Sequence, residues 1–141
     1  MALALVAGAF LTLAPAVTTS LGEPLGLRTE RPHALKVLIN GKRWALTPLN
    51  GSDTYANIRA ARLRVEARWL TDARGTGYYV AISTTEPLKR VYARCFAGTS
   101  CLVANKLRIR ANQEMSVVVR ILKTRSNKLV AGFKVCLNGT A

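Results

Sequence analysis

The sequence predicts an all-β fold, an antiparallel β-sandwich preceded by an extended N-terminal arm. Three observations carry that expectation. Apolar and polar residues alternate with period two over several short stretches, which is the pattern of half-buried strands. Clusters of Gly, Pro, Asn, Asp and Ser separate those stretches. No stretch holds a convincing helical period over several turns, and many short strands divided by turn signals build sandwiches.

From the start of the chain, residues 1–21 (MALALVAGAFLTLAPAVTTSL) are almost wholly apolar as far as Leu13, and Ala14-Pro15-Ala16 supplies the small residues a signal peptidase reads. A membrane helix needs about 20 apolar residues, and this core is too short for one. No Lys or Arg precedes Arg28, so the positive start of a secretory signal is missing. The segment reads as an export signal, with the mature chain starting near Val17; a retained hydrophobic element used in assembly is the rival reading. Residues 22–32 (GEPLGLRTERP) read as a linker. Beyond them Leu35, Val37 and Ile39 alternate, Asn40-Gly41 is the pair preferred in a type I′ turn, and Trp44 and Leu46 continue on the far side. A lone hairpin is marginal in water. Residues 22–57 are therefore expected to form an arm that packs on the main domain or on another protein.

Residues 58–141 are expected to form the sandwich itself. Leu63, Val65, Ala67 and Trp69 alternate with Arg62, Arg64, Glu66 and Arg68, which favours a strand where composition would also allow a helix. After a turn at Thr71–Gly75, Tyr78, Val80 and Ile82 alternate with Tyr79, Ala81 and Ser83. The turn at Thr84–Pro87 precedes a further strand over Leu88–Cys95, and Gly98-Thr99-Ser100 turns the chain into Cys101. Leu107 and Ile109 alternate with Arg108 and Arg110. Val117, Val119 and Ile121 share one strand face, and Ala131, Phe133, Val135 and Leu137 lie on the last strand.

Three cysteines permit three single pairings. Proximity and the intervening turn favour Cys95–Cys101, placed at the tip of a hairpin, with Cys136 as a half-buried free thiol or the outlet for an intermolecular bond. No metal site is expected, since two cysteines and the remote His33 fall short of four ligands. The seven acidic residues are scattered, His33 sits in the linker, and no nucleophile, phosphate-loop or metalloprotease motif occurs. Neither a catalytic residue nor a cofactor is expected.

Charge is the strongest functional cue. The 21 basic and 7 acidic residues give a formal net charge of +14, which concerns partners rather than fold. Arg62, Arg64 and Arg68 are expected on one face, as are Arg108 and Arg110 on another strand.

Residues Arg62–Leu137 resemble an immunoglobulin-like domain recurring in secreted actinobacterial proteins. The resemblance rests on Leu63–Ala67, on Gly77-Tyr78-Tyr79-Val80-Ala81-Ile82, on the turn Ser83–Pro87, and on Cys95-Phe96-Ala97-Gly98-Thr99-Ser100-Cys101. It implies an exported, non-catalytic module used in adhesion or in assembling secreted complexes, and it transfers no catalytic residues. The combined expectation is a secreted adaptor that binds an acidic protein. Its expected contacts are Val37, Ile39 and Trp44 on the arm, with Arg62, Arg64, Arg68, Arg108 and Arg110 on the sandwich. The alternative is a cationic effector of anionic envelope polymers or nucleic acid. Nucleic acid is the less favoured ligand, because export removes the protein from it. No stable membrane insertion is expected after processing.

Overall fold

A computed structural model of the chain describes residues 30–85 and 89–141. The expected signal, most of the linker, the second half of the Thr84–Pro87 turn and Leu88 at the start of the next expected strand lie outside the described residues. Asn40 and Gly41 take φ of 52° and 82°, the left-handed pair that a type I′ turn requires. They join β1 (His33–Ile39) to β2 (Lys42–Trp44). The short β3 (Thr47–Pro48) and β4 (Tyr55–Arg59) follow, then β5 (Ala61–Leu70), β6 (Tyr78–Thr84) and β7 (Arg90–Cys95). The last three strands are β8 (Ser100–Ile109), β9 (Glu114–Lys123) and β10 (Leu129–Thr140). The described residues contain no helix.

These strands form a β-sandwich. One sheet has the order β2-β1-β5-β8; the other runs β3-β10-β9-β6-β7, with β4 also paired to β10. Alternation places Val37 and Ile39 of β1, Leu63, Val65 and Ala67 of β5, and Val103 and Leu107 of β8 on the inner face of the first sheet. They meet Val80 and Ile82 of β6, Val117, Val119 and Ile121 of β9, and Leu137 of β10 in one apolar core. All pairings are antiparallel except β4 with β10, where Cys136 stands opposite Tyr55 in a parallel register. That exception was not expected. It arises because β3 and β4 share one edge, β3 alongside Phe133 and Lys134 and β4 alongside the residues that follow.

Three expectations need correction. The described part of the expected 22–57 arm, residues 30–57, packs on the sandwich and does not stand apart from it as a partner-binding arm. β1 lies between β2 and β5, and Val37 and Ile39 are 0% and 1% exposed. Burying them is what makes an otherwise marginal hairpin stable. β6 is not half-buried either, because Tyr79, Ala81 and Ser83 on its outer side are also covered. Tyr79 lies beneath Phe96, and the Ser83 hydroxyl accepts a 2.7 Å hydrogen bond from Arg120.

The third correction concerns the disulfide. Cys95 and Cys101 are bonded, with Cα atoms 5.7 Å apart. Cys95 ends β7 in one sheet and Cys101 lies in β8 of the other, so the bond ties two sheet edges together rather than closing a hairpin tip. Cys136 is a free thiol, 4% exposed, and receives a hydrogen bond from the Ser116 hydroxyl.

The turn-rich stretch after Pro48 covers the outer side of β10. A Cβ on Gly132 would sit 2.3 Å from Leu49 Cδ1, so any side chain here would displace Leu49 from this position. Lys134 donates to the Gly51 carbonyl at 2.7 Å and to the Asp53 carboxylate, which that lysine holds below its ordinary range. The cluster of Asp53, Lys134, Ser116 and Cys136 is a clasp over a buried thiol.

If the hairpin is integral, a chain lacking residues 30–57 should show no cooperative thermal transition. Ile39→Ala in the full chain should cost about 2–5 kcal/mol in urea unfolding. A cooperative melt of the truncated chain would restore the independent arm.

Candidate functional site

Burial of one side of β5 dictates what the other side carries. With Leu63, Val65, Ala67 and Trp69 turned inward, Arg62, Arg64, Glu66 and Arg68 must face solvent. Register then adds their neighbours. Lys36 stands opposite Arg68, Leu38 lies between Glu66 and Arg43, Leu102 is opposite Glu66, and Arg108 is opposite Arg62. Among the described residues, the outer face of the four-stranded sheet therefore carries Lys36, Arg43, Arg62, Arg64, Arg68 and Arg108 against a single paired carboxylate, Glu66.

Local geometry fixes this array. The Asn40 side chain accepts the Arg64 amide at 2.8 Å, and the Asn40 amide donates to the Arg64 carbonyl at 2.9 Å, docking the first turn against β5. Arg68 grips Glu66 through two hydrogen bonds of 3.0 and 3.2 Å, which hold the Glu66 carboxyl below its ordinary range. The one acid on the face is thus already engaged. Arg62 reaches the Asn105 carbonyl at 3.4 Å and has no carboxylate opposite it. Like charges directly across a ladder destabilise a sheet. Leu102 and Leu70, 43% and 58% exposed, lie among the cations.

At one end the face runs into a cavity of about 610 Å³, lined by Lys106, Arg108 and Arg110 together with Tyr92, Asn112 and Gln113. No carboxylate is among the described residues that line it. Its rim is rigid. Gln113 Oε1 accepts the Arg110 amide at 2.8 Å, and the Asn112 amide donates to the Gly139 carbonyl at 2.8 Å. A Cβ on Gly139 would lie 2.0 Å from the Arg110 carbonyl oxygen, so this position must be glycine for the turn to close. The Arg90 guanidinium stacks over Tyr92 with 5.4 Å to the ring centroid.

The structure thus brings Arg62, Arg64, Arg68 and Arg108 onto one face and sets Arg110 at the adjoining cavity, just beyond β8. It does not bring the arm residues to them. Val37 and Ile39 are core residues that no partner can reach in the folded chain. Trp44 is half-buried against the same core, and its indole N–H donates to the Ile39 carbonyl at 3.4 Å. Sequence reasoning missed Lys36, Arg43 and Lys106. The signal was present for Lys36, which alternates with Val37, whereas Arg43 and Lys106 needed the strand register and the packing of β8 beside β7. Among the described residues no group of three His, Cys, Asp or Glu could hold a metal ion, and no helix is long and apolar enough to cross a membrane. No family model, curated protein or solved structure matches this chain.

If the face is built for a ligand, relieving its internal repulsion should stabilise the free protein. Arg108→Gln should gain about 0.5 kcal/mol in urea unfolding at low salt, and the gain should vanish near ~1 M salt, where screening already removes the repulsion. A loss of stability at low salt would show that Arg108 serves the fold.

Proposed function

We propose that this chain is an exported, non-enzymatic binding module of immunoglobulin-like type that docks an acidic protein on its arginine face, as a subunit of an extracellular or cell-surface complex. One observation carries the reading: Arg62 and Arg108 stand directly opposite each other in a field of cations that, among the described residues, holds a single, already engaged carboxylate. An acidic surface laid on that field relieves the repulsion and is drawn to it over distance. Leu38, Leu70 and Leu102 among the arginines favour a protein partner, because arginine beside apolar area is typical of protein interfaces.

The Cys95–Cys101 bond supports export, since disulfides persist in oxidising compartments. Two facing sheets support the sandwich side of the immunoglobulin-like reading. The disulfide departs from the antibody pattern, joining edge strands where antibody domains join central ones. A second reading, capture of an anionic polymer, draws on the cavity lined by Lys106, Arg108 and Arg110.

The two separate by mutation and by salt. An acidic partner captured from the culture medium by the full chain should be lost with Arg62→Glu/Arg108→Glu. It should be kept with Arg59→Glu/Arg94→Glu, which preserves the overall charge change, and weakened by Leu102→Ser. Polymer capture would instead ignore Leu102→Ser, which removes apolar area without adding charge, and fall about a thousandfold between 50 and 200 mM salt. Retention of the partner by the Arg62→Glu/Arg108→Glu chain would refute the arginine face.

A further inference from the structure

A second surface lies away from the arginine face, at the end of the sandwich where the loop after β5, the disulfide loop and the β9–β10 turn meet. Phe96 is 50% exposed there. Singly exposed aromatics are ordinary on protein surfaces; this one is unusually well fixed. One face of its ring stacks on Tyr79, with centroids 4.5 Å apart and planes 25° from parallel. Tyr79 is itself buried, and its hydroxyl donates to Asn127 Oδ1 at 2.7 Å.

The loop that bears Phe96 is held from several sides. Cys95, the preceding residue, is bonded to Cys101. The Gly98 amide donates to Asp72 Oδ1 at 2.7 Å, and the Ala73 amide donates to the Gly98 carbonyl at 2.9 Å. Beside the ring is a groove of about 460 Å³, lined by Ala73, Gly75 and Gly77 together with Lys123, Thr124 and Arg125. A Cβ added to Gly75 or Gly77 would meet nothing within 4 Å, so this wall is open. Among the described residues, no carboxylate lines the groove.

We infer that this groove binds an aromatic side chain presented by an acidic peptide segment. The ring lies against Phe96, and the flanking carboxylates meet Lys123 and Arg125. The volume suits one ring and its neighbours. A pre-formed aromatic platform loses little side-chain freedom on binding, so stacking is retained as affinity. Among the described residues, no amide or carboxylate side chain lines the groove to read the edge of a nucleobase, whereas a phenyl or indole ring asks only for a face and apolar walls. The site goes beyond the arginine-face reading, because none of its residues lies on that face.

The test is a nuclear magnetic resonance titration of the ¹⁵N-labelled full chain, disulfide intact, with three probes: acetyl-Glu-Trp-Glu-amide, acetyl-Glu-Ala-Glu-amide and adenosine monophosphate. The tryptophan peptide should shift the amides of Gly75, Gly77, Phe96 and Arg125, and bind at least about tenfold tighter than the alanine peptide. Phe96→Leu, which keeps apolar bulk but removes the ring, should weaken it about fivefold or more, while Phe96→Trp retains it. Should Phe96→Leu disturb the fold, Lys123→Gln/Arg125→Gln provides an independent variant and should also weaken binding. Equal affinity of the two peptides would reduce the site to bulk charge and overturn the proposal. So would shifts confined to β5 and β8, or binding of the nucleotide without the peptide.

Discussion

Strict alternation along Ala61–Leu70 is the constraint on which the rest depends. Side chains of a strand point in turn to opposite faces, so burying Leu63, Val65, Ala67 and Trp69 commits Arg62, Arg64, Glu66 and Arg68 to the other side in a row. A one-residue slip would drive three guanidinium groups and a carboxylate into an apolar core, at a cost no fold of this size could absorb. The arginine face is thus locked by the same packing that makes the domain stable. Its neighbours inherit the order, since β1 and β8 are registered on β5 and deliver Lys36 and Arg108 opposite its cations.

A sandwich of two open sheets leaves their edges to be managed. The chain closes one side by stepping from β7 directly into β8 across the two layers, with Cys95–Cys101 fixing that step. So short a covalent loop removes little chain entropy, so its value lies in local geometry. It fixes the β7–β8 step and with it the placement of Phe96 over Tyr79. On the opposite side β3 and β4 cover the edge of β10, and the clasp of Lys134 on Asp53 holds the connecting segment down. Gly132 leaves room for Leu49 of that segment, and Gly139 leaves room for the Arg110 carbonyl where the turn after β8 approaches β10.

Much of this was legible in the residues, and the remainder was not for physical reasons. The alternation around Leu63 and Val117, the Asn40-Gly41 turn and the Cys95–Cys101 pairing are local signals, and each led to the element observed. Sheet membership is a long-range property that local alternation does not encode. Thus Val37 and Ile39 look the same whether an apolar stripe faces a partner or the protein's own core; only the pairing of β1 with β5 decides. The same holds for the parallel pairing of β4, since residues 48–57 carry a turn composition that hides two edge strands. The arginines were recognised one strand at a time. That they form one field, with Arg62 facing Arg108, required the register.

The central claim, that the outer face of β5 and β8 is the surface for an acidic partner, is tested most directly by locating where an acidic chain lands. In a ¹⁵N titration of the full protein with poly-glutamate, the account predicts amide shifts concentrated at Arg62, Arg64, Arg68, Leu102 and Arg108. Shifts spread evenly over all lysines and arginines, or gathered on the outer side of β7 and β9, would contradict it.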